Sequence, residues 1–465
     1  MSGRPSQPIL DCLASLLAAA DWRGALADRL RIGATPTLIA SLLPFADLAA
    51  ATLGAVGLAA AEIDFRRNGR KQTVTVDRGH ASLALASSDW LRLPSAAAKR
   101  WDPVTGYYRS GDGEWVYLHG NFPHLRDGLL ALFDAPGGGD GLARQLARLS
   151  GHEIEDRAAG RGLCAVLRRD RETWEAHPQA MAVRSLPVVR IERIGDAPAE
   201  PFVSGPEPLS GVRVLDLTRV IAGPVAGRTL AENGATVMRI AAPHLPFIEP
   251  LVIDTGFGKL SAHVDLGTAD GCRRMEALVR DADVFVESYR PGSLAARGLG
   301  PDALARLRPG IVSVSISAFS SAGPWSGRRG YDTLVQAAAG FSTLDGDGAP
   351  ARQPCQPLDY LSGYLAAFGA MRALMRRAAE GGSWHVEVSL ARTGQWIRDM
   401  ADAIGAEAAP PPRNPAPAEV AAFLEEADTP FGRVSSLRPA YVLSATPPQR
   451  GRAPVSLGTD SPIWP

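Results

Sequence analysis

The sequence has few of the features that indicate a metal site, a disulfide-linked fold or a nucleic-acid partner. Its 465 residues include only four cysteines, Cys12, Cys164, Cys272 and Cys355. None has CxxC spacing, so the pattern indicates neither a zinc site nor a disulfide framework. The formal net charge is zero, which gives no reason to expect nucleic acid or an anionic membrane as a partner. We therefore expect no metal, no nucleic acid and no membrane partner.

Targeting segments and the common nucleotide-binding motifs are also missing. The N-terminus lacks a charged-then-apolar signal peptide, and no apolar run reaches about 18 residues. There is no Walker motif and no GxGxxG; Gly256-Phe257-Gly258-Lys259 begins like the second and stops. We predict a soluble, cytoplasmic protein without a dinucleotide fingerprint.

The composition indicates a globular protein with several units. Apolar residues make up 46% of the chain and charged residues 21%, and about 150 residues per domain suggests roughly three units. Pro410-Pro411-Pro412 predicts a linker, and the runs around Gly111-Asp112-Gly113 predict a hairpin within 107–118. The predicted regions are an N-terminal helical segment with a partial repeat (1–100), a small α+β domain (101–200), a larger domain (201–400), and a linker with a C-terminal tail (401–465).

Strand and helix patterns alternate from residue 211 to residue 400. This alternation predicts the α/β class, with a doubly wound parallel sheet and a second, smaller α+β domain. Ligands of such sheets bind at the carboxyl ends of the strands. The predicted strands are 212–217, 235–240, 282–287 and 311–316, and the helices between them include 268–281 and 299–308.

The chain also contains an internal repeat at a spacing of 312 residues. Gly57 corresponds to Gly369, and Val74 corresponds to Val386, without a gap. Residues 52–88 and 364–400 both predict a helix, a glycine turn, a strand and a second helix. The first copy lacks a segment like that around Asp359, and its nearest carboxylate is Asp47. We interpret the repeat as structural, with chemistry confined to the second copy.

The residues themselves suggest three candidate functional features, which are two loops and one carboxylate. The turn Val220-Ile221-Ala222-Gly223 ends a strand and opens a helix, so its free N–H groups suit a phosphate or a carbonyl oxygen. Arg290 follows another strand and can hold a phosphate with two hydrogen bonds. Asp359 precedes an apolar helix, where a carboxylate can act as a helix cap or as a nucleophile. Taken singly, each of the loops also suits a purely structural turn.

In order along the chain, these motifs resemble the class III CoA transferases, the CaiB/BaiF family. The resemblance covers residues 211–400. The segments that carry it are 214–224, 282–292, Pro309-Gly310-Ile311-Val312, Gly323-Pro324, Gly330-Tyr331-Asp332, the Asp359 segment and 386–390.

The resemblance implies a Rossmann-like CoA-binding domain and a homodimer. Members of the family form interlocked dimers, and the permuted order leaves open whether two copies of this chain interlock in the same way. It implies that Asp359 attacks an acyl-CoA, passes through an anhydride and becomes an aspartyl-CoA thioester, from which a carboxylic acid takes the CoA. It also implies CoA contacts from 220–223, Arg290 and Lys259, and an acyl pocket shaped by Tyr331.

The sequence departs from the family in its order and in two motifs. The small-domain-like region comes first, so the chain resembles a permuted or half-duplicated member. Ala241-Ala242-Pro243-His244 stands where the family has a Glu and an Arg, and His119-Gly120-Asn121-Phe122 stands where one member has a glycine-rich loop.

Two alternatives stay open. One is an α-methylacyl-CoA racemase, whose relatives carry His where Tyr331 stands and for which His244 or His263 would have to enter the site. The other is a non-catalytic CoA-binding protein. The acids exchanged are not specified by the sequence.

Overall fold

The computed structural model describes residues 2–22, 27–94, 101–345, 347–404 and 415–465. The proline-rich linker predicted at 410–412 lies outside these ranges. The strands are β1 (Ser2–Gly3), β2 (Leu30–Gly33), β3 (Val74–Asp77), β4 (Gly106–Arg109), β5 (Trp115–Leu118), β6 (Ala165–Leu167), β7 (Arg190–Gly195), β8 (Arg213–Leu217), β9 (Thr236–Ala241), β10 (Lys259–His263), β11 (Val284–Glu287), β12 (Val312–Ser317), β13 (Thr343–Leu344), β14 (Pro350–Ala351), β15 (Ser383–Ser389), β16 (Leu424–Thr429), β17 (Gly432–Leu437) and β18 (Tyr441–Leu443).

Helices occupy much of the rest of the described chain, and the longest two have 24 residues each. The α-helices are α1 (Gln7–Ala19), α2 (Phe45–Asn68), α3 (Arg78–Ala84), α4 (Pro123–Leu132), α5 (Gly138–Leu146), α6 (Gly151–Gly160), α7 (Arg171–Glu175), α8 (Pro178–Arg184), α9 (Ala222–Glu232), α10 (Glu249–Asp254), α11 (Ala269–Arg280), α12 (Pro301–Leu307), α13 (Asp332–Ala338), α14 (Pro357–Glu380), α15 (Leu390–Ile404) and α16 (Pro417–Ala421).

A seven-stranded sheet forms the centre of the molecule. Its order is β10-β9-β8-β11-β12-β15-β7, and every pair is parallel except the edge pair of β15 with β7. The strand order reverses between β8 and β11, so the loops after these two strands flank one crevice. The prediction of an α/β protein with a large, mostly parallel sheet is confirmed.

The predicted strands of this sheet lie within about two residues of the observed ones. The structure adds β10, which the sequence pattern did not indicate, because its alternation of polar and apolar side chains is weak. The hairpin predicted within 107–118 is present as β4 and β5, and β6 extends it to three strands.

The N-terminal region forms a second, four-stranded sheet of order β1-β2-β3-β18. Its last strand comes from the C-terminal region, which also contains the β16–β17 hairpin. The segment expected to be a linker and tail therefore contributes strands to the fold. Asp460 also forms a bridge with Ala262 of β10.

The internal repeat is longer in the structure than in the sequence pattern. Helix α2 (Phe45–Asn68) and helix α14 (Pro357–Glu380) begin and end at the same spacing, and β3 and β15 end at that spacing too. Each helix ends before a glycine with positive φ, Gly69 or Gly381, which stops it in the left-handed region. The two helices pack against each other.

Helix α2 is long and apolar enough to cross a membrane by length and composition. In the structure, 89% of its most apolar window is buried inside the protein. It is the core helix of the N-terminal unit, in contact with α1, α3 and α14.

Helix α14 approaches α9 so closely that a glycine is required at the crossing. A Cβ atom on Gly363 would lie 2.5 Å from the backbone oxygen of Ala222 and 2.9 Å from Cβ of Val225. We expect Gly363→Ala to lower the free energy of unfolding by about 1–3 kcal/mol, because the two helices must separate. Urea denaturation followed by circular dichroism measures the change.

The control for this substitution is Gly160→Ala at the end of α6, where an added Cβ meets nothing within 4 Å. There we expect no loss of stability, since alanine favours a helix over glycine by up to about 1 kcal/mol. Equal stability of Gly363→Ala and the wild type would contradict the close-approach argument.

Candidate active site

A cavity of about 410 Å³ opens at the carboxyl ends of β8, β11 and β12. It lies at the point where the strand order reverses, where ligands of open α/β sheets bind. Its lining includes Arg219, Val220, Arg290, Arg329, Tyr331 and Asp359. The structure thus brings together most of the residues selected from the sequence.

The turn after β8 has an unusual backbone conformation. Val220 has φ of 72°, a left-handed value that a β-branched side chain rarely adopts. Such strain persists where the surrounding structure enforces it, often at functional sites. Val220, Ile221 and Ala222 line the cavity, and α9 begins at Ala222. The turn therefore presents the positive end of a helix to the cavity.

Gly223 supports this turn without lining the cavity. A Cβ at this position would lie 2.3 Å from Cβ of Thr218. The glycine allows α9 to start directly over the end of β8, which keeps the turn tight.

Asp359 is the third residue of α14 and is 7% exposed. Its backbone N–H donates to Oδ2 of Asp332 at 2.8 Å, and Gln336 Nε2 donates to Oδ1 of the same carboxyl. The carboxylate of Asp332 therefore caps the first turn of α14, where N–H groups lack helical partners. The Asp359 carboxyl itself remains free to face the cavity.

Burial is the main electrostatic influence on this pair of carboxyls. It raises the pKa of Asp359 well above its usual range, and the neighbouring charge of Asp332 raises it further. Burial likewise raises the pKa of Asp332 to about 7. Two carboxylates in one buried site cannot both ionise easily, because each charge disfavours the other.

The region predicted as the small domain covers this carboxyl. Tyr331 stacks on His119, with ring centroids 4.1 Å apart and planes 13° apart, and Phe122 lies 5.8 Å from the same ring. His119, Phe122, Tyr331 and Asp359 also line a small, mostly apolar recess of about 40 Å³. The segment that stands in place of a glycine-rich loop thus lies beside Asp359.

Neither aromatic partner is a strong base in this setting. Burial raises the pKa of the Tyr331 phenol well above its ordinary value of about 10. Burial, followed by the charge of Arg352, lowers the pKa of His119 to about 3, so that its ring is neutral. Both side chains therefore act as an uncharged wall beside the carboxyl.

Arginines dominate the charge of the larger cavity. Arg219, Arg290, Arg328 and Arg329 all line it, together with His124, and among the described lining residues Asp359 is the acidic one. Arg290 is exposed on the loop after β11, while the guanidinium of Arg219 lies 5.2 Å from the ring centroid of Phe122. The cavity is suited to a ligand with several negative charges.

Lys259 does not lie in this cavity. It is 1% exposed, and its Nζ donates to Oδ2 of Asp216 at 2.6 Å and to the backbone oxygen of Pro224 at 2.8 Å. Burial lowers the pKa of Lys259 to about 7. Its contact with Pro224 holds the first turn of α9 from beneath, so any effect on a ligand is indirect.

The two histidines considered for proton transfer also lie away from the cavity. The side chain of His244 is 63% exposed and lies 3.9 Å from Asp265. His263 ends β10, the edge strand at the opposite end of the large sheet from β15 and β7. The histidines near Asp359 are His119 and His124, which were not selected from the sequence.

Sequence reasoning also missed Arg219, Arg328 and Arg329 as cavity residues. Asp332, whose carboxylate caps α14, was not selected either. Arg219 and Asp332 belong to motifs that carry the family resemblance, and those motifs could have identified both residues. No sequence signal connects His119 or Phe122 to Asp359, because they are more than 200 residues away along the chain.

Within the described ranges, no group of three or more His, Cys, Asp or Glu side chains is arranged to hold a metal ion. The cavity lining supplies cations and backbone N–H groups, which bind anions. These residues fit a phosphorylated organic ligand.

Comparison with known proteins gives a consistent match for the second half of the chain. Residues 209–419 match the sequence model of CoA-transferase family III. The acetyl-coenzyme A transferase nodX of Hypoxylon pulicicidum is 36% identical over 210 residues, which cover 43% of this chain and 35% of that protein. The succinate–glutarate CoA-transferase of Agrobacterium fabrum is 34% identical over 203 residues, which cover 39% of this chain and 51% of that protein.

Among solved structures, a CaiB/BaiF family protein from Brucella suis is 26% identical, with a TM-score of 0.40. The match covers 49% of this chain and 65% of that one. The chain spans about half the length, or less, of the first curated relatives it matches.

The carboxyl pair leads to a prediction for stability. Both folded-state pKa values are raised above the unfolded value of about 3.9, so the stability they contribute is complete below that pH and is lost as pH rises through the folded values. We expect Asp332→Asn, which keeps an acceptor for the Asp359 N–H, to reduce the pH dependence between about pH 4 and pH 8. Urea unfolding across this range measures it.

The control is Asp302→Asn, which replaces an exposed carboxylate on α12. It should leave the pH dependence of the unfolding free energy as in the wild type. Parallel curves for the wild type and Asp332→Asn would contradict a raised pKa for Asp332 in the folded protein.

Proposed function

We propose that this chain, a member of CoA-transferase family III, moves coenzyme A between an acyl-CoA thioester and a carboxylic acid. The observation that carries the proposal is a buried, unpaired carboxyl, Asp359, in the lining of a cavity rich in arginine. This reaction requires a nucleophile, a binding site for the phosphates of CoA and backbone N–H groups at a helix N-terminus. The exchange would proceed through a covalent bond to Asp359.

Coenzyme A would lie along the cavity between the loops after β8 and β11. Arg290, Arg219, Arg328 and Arg329 provide charge for its phosphates. The turn formed by Val220, Ile221, Ala222 and Gly223 would carry the pantetheine arm towards Asp359. Lys259 would help by holding that turn in place through Pro224.

The proposed reaction has four steps, and in each step one bond to a carbonyl carbon forms while another breaks. One Asp359 oxygen attacks the thioester carbonyl carbon, and the C–S bond breaks to give an acyl anhydride and the CoA thiolate. The thiolate attacks the aspartyl carbonyl of the anhydride, which releases the donor carboxylate and leaves an aspartyl-CoA thioester. The acceptor carboxylate attacks that thioester and again frees the thiolate. Finally the thiolate attacks the acceptor carbonyl, which yields the new acyl-CoA and restores Asp359.

The environment of Asp359 fits a nucleophile that must be regenerated. Burial leaves the ionised carboxylate poorly solvated, which raises its pKa. The poorly solvated carboxylate also gains by forming a covalent bond. Backbone N–H groups at the start of α9 would stabilise the oxyanion of each addition step. Because attack requires the carboxylate, the rate of the first step should rise with pH.

Finer assignments belong to the same proposal. The order of the six parallel strands, third-second-first-fourth-fifth-sixth along the chain, supports a Rossmann-like classification. Residues 101–200 would act as the smaller domain, with His119, Phe122 and Tyr331 shaping the acyl recess. We also propose a homodimer located in the cytoplasm, acting on small acyl-CoA and carboxylic acid molecules, without a metal.

Asp359→Ala should lower the rate of CoA transfer by about a thousandfold or more, because the covalent path is lost. With acyl-CoA and hydroxylamine, the wild type should form a hydroxamate at Asp359, and mass spectrometry locates it. Asp270→Ala, an exposed carboxylate on α11, is the matched control and should behave as the wild type.

Assays of the wild type and of Asp359→Ala together distinguish the alternatives. Transfer by Asp359→Ala at the wild-type rate would overturn the proposal. Exchange of the α-proton of the acyl group without a covalent enzyme species would favour a racemase, and CoA binding without turnover in the wild type would favour a binding protein.

Arg290→Ala should raise the KM for the acyl-CoA about tenfold, the effect of losing one charge-assisted contact of about 1.4 kcal/mol, with little change in kcat. The difference should shrink at high salt, because the side chain is exposed. Arg297→Ala is the control, since Arg297 is exposed nearby but donates to Leu266 and does not line the cavity. Equal effects of both substitutions would remove Arg290 from the CoA site.

A further inference from the structure

The N-terminal copy of the repeat has its own cavity, of about 760 Å³, at the start of α2. Asp47 is the third residue of α2, as Asp359 is the third residue of α14, and both line cavities. Arg78 begins α3 where Leu390 begins α15, and these two also line the respective cavities. We propose that this second cavity is a binding site for an amphipathic carboxylate, a monocarboxylic acid with an apolar chain.

The carboxylate of the second cavity is not available as a nucleophile. Nε of Arg78 donates to Oδ1 of Asp47 at 2.6 Å, and Nη2 donates to Oδ2 at 2.9 Å. Asp359 has Leu390 at the position equivalent to Arg78, and the neighbouring charge that raises its pKa is that of another carboxyl, Asp332. The two cavities therefore share a place in the repeat but differ in chemistry, which makes the second a binding site.

The walls of the second cavity are largely apolar. Pro36, Leu42 and Leu43 come from the N-terminal region, while Phe341 and Ile404 come from the C-terminal half. Leu42 is 79% exposed, which leaves a large apolar side chain at the rim. A volume of about 760 Å³ is within the range of small-molecule sites, roughly 300–1,000 Å³.

One cation in this cavity lacks a full set of partners. Arg398 is 5% exposed and lies over the ring of Phe341 at 4.5 Å, and one of its nitrogens donates to the backbone of Ala339. Its Nη1 has no hydrogen-bond partner among the residues that the structure describes. Burial lowers the pKa of Arg398 to about 10, which leaves it protonated at neutral pH.

Among the residues that the structure describes, the other charges that face this cavity are paired with each other. Asp47 pairs with Arg78, and Asp402 pairs with Arg171, whose Nη1 lies 2.8 Å from Oδ1. Arg398 therefore supplies the remaining positive charge. An anion that satisfies its guanidinium, joined to a chain that covers Leu42, Leu43 and Phe341, matches both features of the cavity.

Decanoate is the probe, and isothermal titration calorimetry of the full chain measures its binding. We expect saturable binding with a Kd below about 1 mM, weaker by roughly tenfold for the uncharged 1-decanol. Arg398→Gln should raise the Kd about tenfold. Asp359→Ala should leave it unchanged, since that carboxyl lines the other cavity.

A second variant keeps the test decisive if Arg398→Gln does not fold. Leu42→Glu places a negative charge on an exposed residue at the rim and should raise the Kd several-fold through repulsion, while Val203→Glu, 78% exposed and away from the cavity, should not. The proposal is overturned by absence of saturable decanoate binding, by an unchanged Kd for Leu42→Glu, or by loss of binding in Asp359→Ala. That last outcome would assign the ligand to the transfer cavity.

Discussion

The hydrogen bond from the backbone N–H of Asp359 to the Asp332 carboxylate connects the fold to the candidate chemistry. At 2.8 Å it joins the start of α14 to the start of α13 and satisfies an N–H group that the helix cannot use. It leaves the side chain of Asp359 free of a capping role, although the residue stands where a cap is common. The same contact places two carboxyls together in a buried site, where burial raises the pKa of each and the charge of Asp332 raises that of Asp359 further. This contact fixes the position of the candidate nucleophile at the start of α14.

The remainder of the site depends on packing between distant parts of the chain. The close approach of α9 and α14 at Gly363 sets Asp359 beside the turn after β8. The segment containing His119 and Phe122 then covers Tyr331, which gives the carboxyl its apolar surroundings. Helix α2, the counterpart of α14, also packs against it and carries Asp47 into a separate cavity. The two halves of the repeat thus share a helical core, while the Asp47 carboxylate pairs with a guanidinium and the Asp359 carboxyl lies near the charge of another carboxyl.

Much of the large sheet could be predicted from local sequence, because its central strands are buried on both faces and are continuously apolar, as in Val214-Leu215 and Val284-Phe285. The loops after β8 and β11 could be predicted to meet for a topological reason, since parallel strands align their carboxyl ends. Strand β10 could not, because Lys259 and Ser261 interrupt its apolar pattern and are tolerated inside only through Asp216 and backbone partners. Lys259 was expected near CoA because of the resemblance to the CoA transferases, and only the tertiary structure shows its buried ion pair with Asp216.

The sequence by itself determined the alternation of strands and helices, the order of the motifs, the repeat and the choice of Asp359, since these depend on residue type and spacing. Only the tertiary structure decided which arginines surround the cavity, which aromatic rings cover the carboxyl, and that the Asp47 carboxylate pairs with Arg78. Those features depend on distances between residues far apart in the chain. The environment of a carboxyl, which determines whether it is a cap, an ion-pair partner or a nucleophile, is set by the burial and charge that folding brings to it.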